Sequence, residues 1–293
     1  MFVAIGIMDN AAYRSFLQVL PPVEFACVYG SSLHPSNCDK TTMTDYIIGV
    51  ADPKQWHSEN LKLNKHHYAS WMVHLGGERL ITGVADEIGV GVHFNPFVSW
   101  NGKLFKYGVV RMHDLLQDVH YWEKFYLCGR LQKPVHIVVD NLDVNSTNSV
   151  NLRAAVSAAL LLLPSEFTEA DLYAKVCSLS YMGDVRMLFA EDKNKDCDLS
   201  VDYSLVSALP PSIRNQIIMK EGVKEKLRET GRAINDTRSR VREEAANCLQ
   251  RILRRRVMVS SARQAVSGLL AVGAVNASRY LARKVTKAWK SWR

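Results

Sequence analysis

Two short apolar segments near the amino terminus constrain the fold more than any other feature of this sequence. Residues 25–32 read Phe-Ala-Cys-Val-Tyr-Gly-Ser-Ser, and residues 45–50 read Asp-Tyr-Ile-Ile-Gly-Val. Apolar, β-branched and aromatic residues bounded by Gly, Ser, Pro and Asn favour strands over helices at this length. We therefore predict two buried strands, the first ending in a Gly-Ser turn and the second beginning with a carboxylate.

The turn and the carboxylate are suited to binding a phosphate together with a metal ion. Because Gly30 has no side chain, backbone N–H groups and the hydroxyls of Ser31 and Ser32 can approach a phosphate closely. Asp45 on the next strand could hold a hard cation beside that phosphate. Nucleotidyltransferase folds bind a nucleoside triphosphate with Mg²⁺ in this way, but an ordinary tight turn with an edge aspartate would have the same sequence.

A second metal ligand is less clearly marked. Many nucleotidyltransferases carry two carboxylates one residue apart on the second strand, but that position is Ile47 here. Asp52, just past the strand end, is the candidate for the second ligand. The alternative is that Asp52 forms a turn with Pro53, since Asp-Pro pairs are common turn formers.

The remaining polar candidates are a set of basic residues and a group of histidines. Basic groups beside a metal site would hold phosphates, although each is equally explained as solvated surface charge. His57 either contacts a substrate or caps a helix, and we do not expect a zinc site because no cysteines stand at metal-ligand spacing. The basic set is Lys106, Arg111, Arg130 and Lys133, and the other histidines are His66, His67 and His74.

Charge is distributed unevenly along the 293 residues. The net charge is +8, and the eleven basic residues between Arg251 and Arg293, without an acidic one, leave −3 for residues 1–250. A basic tail suits an anionic surface, either phospholipid or nucleic acid. Its apolar stripe and terminal tryptophans favour a helix in a lipid interface, the alternative being a helix packed on its own domain. The stripe comprises Val257, Ala265, Leu269, Val272, Val275 and Leu281, with Arg254, Arg263, Arg279 and Arg283 around it and Trp289 and Trp292 at the end.

Other patterns place the remaining elements. No stretch reaches the about 18 apolar residues of a membrane-spanning helix, and six scattered cysteines without a C-x-x-C pair indicate a reducing compartment. Asn101-Gly102 between apolar runs predicts a hairpin. The predicted helices are 11–20, 54–68, 119–127, 154–163 and one starting at Thr168; the predicted strands are 90–98, 104–111 and 135–139; and polar residues 141–151 are a predicted boundary.

Taken together, these segments resemble the mitochondrial phosphatidate cytidylyltransferase family. The similarity runs from about residue 15 to 195 and returns in the tail. Its blocks occur in the family's order, which makes the match specific. They are Tyr29-Gly30-Ser31, Asp45, Asp52-Pro53, Trp56-His57-Ser58, Asn60-Leu61, His67-Tyr68, Lys106-Tyr107-Gly108-Val109, Gly129 to Val135, Leu162-Leu163-Pro164, Leu179-Ser180-Tyr181, Gly183-Asp184 and Arg186-Met187.

The resemblance implies an α+β fold. A nucleotidyltransferase domain with a mixed sheet would occupy residues 1–145, and a helical, winged-helix-like domain residues 146–211. Residues 212–293 would form C-terminal helices with a basic, membrane-binding amphipathic tail. Family members usually have a longer interval than the one between Asn194 and Ser212, so the second domain is expected to be shortened.

The resemblance also implies a reaction. CTP and phosphatidic acid would give CDP-diacylglycerol and pyrophosphate with Mg²⁺, for cardiolipin and phosphatidylglycerol synthesis at the matrix face of the inner mitochondrial membrane. Asp45 and Asp52 would hold the metal, with Ser31 also catalytic. Tyr29, Gly30, Ser31, Ser32, Lys106, Arg130, Lys133 and Asp184 would contact the nucleotide or other phosphates.

Two other functions stay open at this point. One is a nucleotidyltransferase acting on RNA, with the basic tail on the RNA backbone, although a nucleic-acid partner is not expected because such arms usually lack a continuous apolar face. The other is a catalytically impaired membrane-bound scaffold, which the shortened second domain would suit.

Overall fold

The computed structural model describes residues 9–33, 43–184, 203–221 and 234–272. Among these residues the strands are β1 (Phe25–Tyr29), β2 (Thr44–Val50), β3 (Val92–Trp100), β4 (Lys103–Arg111) and β5 (Val135–Asp140). The helices are α1 (Asp9–Leu17), α2 (Pro53–Leu63), α3 (Ser70–Leu75), α4 (Gly77–Gly83), α5 (Met112–Tyr121), α6 (Cys128–Leu131), α7 (Val144–Leu162), α8 (Glu169–Ser178), α9 (Tyr203–Ser207), α10 (Pro211–Glu221) and α11 (Ile234–Val272), with 3₁₀ turns at Ser31–Leu33, Lys65–His67 and Leu179–Tyr181 and a π-helical turn at Val84–Ile88.

The five strands form one mixed sheet in the order β3-β4-β2-β1-β5. Strands β2 and β4 are parallel, and the other neighbours are antiparallel. The two strands predicted from residues 25–32 and 45–50 are confirmed and pair with Tyr29 opposite Asp45. The predicted α+β class with a mixed sheet is therefore confirmed, while the nucleotidyltransferase and winged-helix details stay predictions.

The predicted hairpin is also confirmed. Strands β3 and β4 are joined at Asn101 and Gly102, whose φ angles are 47° and 72°. Asn and Gly adopt this left-handed region more readily than other residues, and two such residues in succession give a turn that matches the twist of paired strands. The local sequence therefore fixes the register beside the turn, and farther along the pair the register shifts between Asn95 and Val98.

One face of the sheet forms the main core. Tyr46, Ile48 and Val50 alternate along β2 and are buried with residues of β1, β4 and the flanking helices. Phe16 of α1 stacks on Phe105 of β4, with ring centroids 4.1 Å apart, and Trp56 of α2 belongs to the same cluster. Because side chains alternate across a strand, Asp45 points to the opposite face.

The helix predicted over residues 119–127 is wrong. Helix α5 ends at Tyr121, and both Trp122 and Phe125 have positive φ angles, 57° and 52°. The intervening chain is an irregular loop whose N–H groups bind the carboxylate of Asp118. Its buried aromatic residues imitate helical spacing, which misled the prediction.

Residues 141–151, predicted as a polar boundary, are mostly helical in the structure. Asp143 caps α7, which begins at Val144 and runs on to Leu162. Asn148 and Asn151 are buried in this helix and donate to the carbonyls of Leu131 and Cys128. Their polarity serves these buried hydrogen bonds, and the chain passes from one compact unit to the other at Leu142 and Asp143. Thr168 caps α8, as predicted.

By its contacts the chain divides into two compact units. The first contains the described residues of Met1–Asp114, Pro134–Leu142 and Arg263–Arg293. The second contains those of Leu115–Lys133 and Asp143–Ala262. The predicted domain limits at residues 145 and 211 stay predictions.

A buried polar network lies in the first unit. The Asn60 amide donates to the hydroxyls of Tyr68 and Tyr107 over 2.7 and 2.8 Å. His57 Nδ1 lies 2.8 Å from the Tyr68 hydroxyl, and His67 Nδ1 lies 2.9 Å from the Tyr107 hydroxyl. His57, predicted either to contact a substrate or to cap a helix, and the polar groups around it thus hold α2 to β4.

Burial keeps these imidazoles neutral. It lowers the pKa of His67 to about 4, helped by neighbouring His66, and it lowers the pKa of His93 to about 4. Burial and the nearby His93 also hold the pKa of His57 well below its usual value. The folded chain therefore binds fewer protons at these sites than the unfolded chain does.

We expect the free energy of unfolding to fall as the pH drops from about 6.5 toward 4. The unfolded histidines take up protons over this range and the folded ones do not, which costs up to about 1.4 kcal/mol per pH unit for each group. Urea unfolding at several pH values measures the slope. His67→Gln removes one titrating group and should flatten the slope; a free energy independent of pH between 7 and 5 would contradict the prediction.

Candidate active site

The candidate site lies where three adjacent strands bring a carboxylate and an amine together. In the sheet Asp45 pairs with Tyr29 of β1 on one side and with Lys106 of β4 on the other. Lys106 Nζ lies 3.3 Å from Asp45 Oδ1, and both side chains are about a quarter exposed (25% and 23%). The register of β1, β2 and β4 thus unites three of the predicted site residues.

Lys106 has an aromatic neighbour that the sequence did not single out. Its Nζ lies 4.6 Å from the ring centroid of Phe94 on β3. A Cβ atom at Gly108 would lie only 2.5 Å from the Phe94 ring, so glycine is required there for the ring to lie flat on β4. In the sequence, Gly108 was the residue that could have indicated a close neighbour on this strand. An aromatic face at this distance attracts the ammonium group of Lys106.

Gly30 places the backbone directly beside the carboxylate. Its φ angle is 91°, and a Cβ atom would lie 3.3 Å from Asp45 Oδ2. Glycine is therefore favoured for both its conformation and its size. After Gly30 the chain makes the 3₁₀ turn Ser31–Leu33, in which the Leu33 N–H donates to the Gly30 carbonyl over 3.2 Å.

The serines of this turn are placed unequally. Ser32 has its hydroxyl buried without a hydrogen-bond partner among the described residues. The side chain of Ser31 lies outside the described part, so only its backbone is placed. A buried hydroxyl that lacks a protein partner is suited to contact a ligand.

Asp52 is not brought to Asp45. It lies beyond the opposite end of β2, and at about 3.3 Å per residue the intervening segment spans on the order of 20 Å. Its carboxylate caps α2, accepting from the N–H groups of Lys54 and Gln55 over 2.8 and 3.4 Å. The two aspartates therefore cannot share an ion, and the turn-former alternative explains Asp52.

A metal at this site would rely on few protein ligands. Among the described residues, no group of three or more His, Cys, Asp or Glu side chains is arranged to hold a metal ion. Asp45 supplies carboxylate oxygen, the ligand type that Mg²⁺ prefers. Because Mg²⁺ commonly binds one or two carboxylates plus substrate phosphates and water, this donor set fits it.

Two further predicted residues, Arg130 and Lys133, lie in the second unit and rest on aromatic rings. The Arg130 guanidinium stacks 3.7 Å from the Tyr126 ring centroid and donates to the Tyr126 carbonyl over 2.9 Å. Lys133 Nζ lies 3.6 Å from the ring centroid of Tyr181. Burial, with a smaller effect from Arg130, lowers the Lys133 pKa, although a hydrogen bond to Tyr181 opposes the shift. Tyr181 belongs to one of the segments that carry the family resemblance, but the sequence indicated no contact with a cation for either tyrosine.

Glycines bring these basic residues and Asp184 into place within the second unit. A Cβ at Gly129 would lie 2.6 Å from Ser180 Cβ, so glycine lets the turn Leu179–Tyr181 pack on α6. Gly183, with φ 73°, packs equally closely on Arg254. Asp184, next in sequence, is buried. Asp184 thus belongs to the unit of Arg130 and Lys133 and not to that of Asp45.

Arg111, the fourth predicted basic residue, is already paired. Its guanidinium donates to Asp114 over 2.9 Å and lies 3.7 Å from a carboxylate oxygen of Asp86. These partners lie within the first unit and account for its charge locally. We therefore leave Arg111 out of the candidate site.

The predicted apolar stripe of the tail is divided in the structure. Val257 is buried (3% exposed) as part of a continuous packed face of α11, whereas Leu269 is 45% exposed. The alternative of a helix packed on its own protein therefore holds for Val257. None of the described helices is long and apolar enough to cross a membrane. Val275, Arg279, Leu281, Arg283, Trp289 and Trp292 lie outside the described residues.

Comparison with known proteins identifies one family. A family described as "Phosphatidate cytidylyltransferase, mitochondrial" matches residues 13–198 and 194–287. Relatives that bear the same name include proteins from Homo sapiens, 41% identical over 62% of this chain, and Bos taurus, 42% identical over 64%. The Mus musculus relative is 32% identical over 92% of this chain.

The matched relatives differ in how much of their length is covered. The aligned part spans 42% of the human and 57% of the bovine relative, against 92% of the mouse relative. The mouse alignment has 317 positions although 92% of 293 residues is only about 270, so roughly 47 positions have no residue here. The break between the two family segments at residues 194–198 is where such a gap would fall.

Proposed function

The chain belongs to the family of mitochondrial phosphatidate cytidylyltransferases, and from that premise we propose that it transfers the cytidylyl group of CTP to phosphatidic acid. The products would be CDP-diacylglycerol and pyrophosphate. The observation that carries this proposal is the grouping of Gly30, Asp45 and Lys106 at one end of the sheet, where a triphosphate and a metal can bind together.

The chemistry requires positioning and charge neutralisation more than proton transfer. A phosphate oxygen of phosphatidic acid would attack the α-phosphorus of CTP, and pyrophosphate would leave. The attacking group is already an anion, so no strong general base is needed. This suits a site whose nearby histidines are buried in a structural network.

Each residue of the site has a role in this proposal. The backbone after Gly30 would face the triphosphate, and Ser32 would donate its hydroxyl to a phosphate oxygen. Lys106 would bind a phosphate oxygen while it stays within reach of Asp45. Mg²⁺, held by Asp45 and the triphosphate, would neutralise charge that develops on the phosphates.

Within the second unit, Arg130 and Lys133 are proposed as phosphate contacts in their own right. Arg130 and Lys133 are held by aromatic rings, which fixes the direction of two long cationic side chains. Such preorganised cations suit a phosphate group. Asp184 would act in the same unit, and the structure defines no more specific role for it.

An impaired scaffold is the second candidate function. The roughly 47 alignment positions that lack a residue in this chain favour it, because they remove material that the mouse relative has. An active enzyme and an impaired scaffold would share the same fold and family. Only a measurement of catalytic turnover distinguishes them.

We expect the purified chain to form CDP-diacylglycerol from CTP and phosphatidic acid in Mg²⁺, and to stop when EDTA removes the metal. Asp45→Asn should lower kcat by about 100-fold or more, because it removes charge from the metal site. Radiolabelled CTP followed into the lipid phase measures this rate.

Asp52→Asn is the matched control for that assay. Asparagine also caps helices well, so this variant should keep both the fold and the activity. Equal loss in the two variants would contradict the assignment of the metal to Asp45 alone. A folded wild-type chain without turnover would support the scaffold.

We further propose that the chain works as a peripheral protein on the matrix side of the inner mitochondrial membrane, in the synthesis of cardiolipin and phosphatidylglycerol. The relatives carry "mitochondrial" in their names. The basic residues after Arg251 would attract anionic lipid, and the tryptophans at 289 and 292 would enter the interface.

Vesicle co-sedimentation tests this placement. We expect binding to phosphatidylcholine vesicles that contain phosphatidylglycerol, weaker binding in high salt, and loss of binding in the double variant Trp289→Ala, Trp292→Ala. Equal binding to neutral vesicles would contradict the electrostatic part. Tight binding to RNA in place of vesicles would contradict a lipid surface and favour a nucleic-acid substrate.

A further inference from the structure

One buried carboxylate in the second unit accepts an unusually large number of hydrogen bonds. Asp118 of α5 is 3% exposed. Its Oδ1 accepts from the N–H groups of Lys124 and Phe125, each over 2.9 Å. Its Oδ2 accepts from Tyr126, Leu127 and Cys128 over 3.0, 2.7 and 3.3 Å. Five consecutive backbone donors thus converge on one side chain.

The loop that Asp118 holds would not keep its shape unaided. Trp122 and Phe125 are non-glycine residues at φ angles of 57° and 52°. Such conformations cost free energy and persist only where the surroundings impose them, most often at functional sites. A carboxylate that accepts several N–H bonds provides that constraint, because charge-assisted bonds are the stronger ones.

A second group closes the loop from α11. Arg256 donates to the Trp122 carbonyl and interacts favourably with the Asp118 charge. The buried carboxylate therefore has a cation near it as well as donors, and its charge is compensated. The loop is held at its start by Arg256 and along its length by Asp118.

The loop leads directly to Arg130, the proposed phosphate contact within the second unit. Tyr126, whose N–H binds Asp118 Oδ2, offers its ring and its carbonyl to the Arg130 guanidinium. The connection has only two links, from Asp118 to the Tyr126 backbone and from Tyr126 to Arg130. Movement of the loop would shift the platform on which the guanidinium rests.

We propose that Asp118 is a positioning residue that acts through Tyr126 to hold Arg130 where it binds a substrate phosphate. The inference rests on the proposed function in one respect, namely that Arg130 contacts a phosphate. It adds that the geometry of this contact is set by a carboxylate that touches no substrate.

The first test uses Asp118→Asn in the full chain. Asparagine has the same size, but an NH₂ group replaces one carboxylate oxygen. That group is a donor and would face backbone N–H groups that now donate to the oxygen. We expect kcat/KM to fall about tenfold, because small misplacements of a binding group are costly. The loss should lie in KM for CTP or for phosphatidic acid, with near-normal circular dichroism.

A matched control separates positioning from stability. Asp143 also accepts a backbone N–H in the second unit, from Ser146 over 3.3 Å, but it caps α7. Asp143→Ala should lower the melting temperature and leave KM unchanged at a temperature where it is folded. If both variants change KM equally, Asp118 acts through stability alone and the proposal fails.

Tyr126→Leu removes the ring contact with Arg130 while it leaves the carbonyl of residue 126 and the backbone bonds of Asp118 in place. It should reproduce the KM change of Asp118→Asn, and it serves in its place if that variant does not fold. Tyr126→Phe keeps the ring and should retain normal KM. A normal KM in Tyr126→Leu would overturn the proposed route through Tyr126.

A double-mutant cycle with Arg130→Ala separates the positioning role of Asp118 from the phosphate contact of Arg130. If Asp118 acts through Arg130, then Asp118→Asn should cost little more once Arg130→Ala is present. Additive losses would overturn the positioning role and leave the phosphate role of Arg130 intact. A silent Arg130→Ala would instead contradict the proposed phosphate contact itself, and the positioning role with it.

Discussion

The pairing of β2 with β1 and β4 is the constraint on which the candidate site depends. It places Asp45 between Tyr29 and Lys106, and the positive φ of Gly30 then brings the turn against the carboxylate. A shift of one residue in either pair would move Asp45 to the core face. The alternating buried residues of β2 prevent that shift. The packing that stabilises the sheet therefore also fixes the position of Asp45 in the candidate site.

Polar groups buried inside each unit have a comparable role. In the first unit, Asn60 links Tyr68 and Tyr107, and in the second, Asp118 gathers the N–H groups of a loop. Buried polar groups are costly unless their hydrogen bonds are satisfied, and satisfied networks specify one arrangement. Several residues that are candidate functional residues in the sequence, such as His57 and His67, stabilise these arrangements.

Local patterns predicted the parts of the fold that local interactions determine. The two strands, the Asn101-Gly102 hairpin and the Thr168 cap were all found, since each depends on a few adjacent residues. Residues 119–127 were mispredicted because their shape comes from a carboxylate that precedes the loop. Spacing of apolar residues cannot distinguish a buried loop from a helix.

The same distinction between local sequence and tertiary packing applies to the candidate site residues. The sequence singled out Gly30, Asp45 and Lys106, which the structure brings together, whereas Asp52, also proposed as a metal ligand, caps α2. A metal ligand and a helix cap require the same side chain, so only the distance from Asp45 separates them. The contacts of Phe94, Tyr126 and Tyr181 with cations were not predicted, because they depend on tertiary packing.

The most direct measurement is the affinity of the chain for CTP with and without Mg²⁺, by titration calorimetry of the wild type and of Asp45→Asn. If the turn and Asp45 hold the triphosphate with its metal, Mg²⁺ should strengthen CTP binding to the wild type, and this gain should disappear in Asp45→Asn. An Asp45→Asn chain that binds CTP with the full gain from Mg²⁺ would contradict the placement of the metal site.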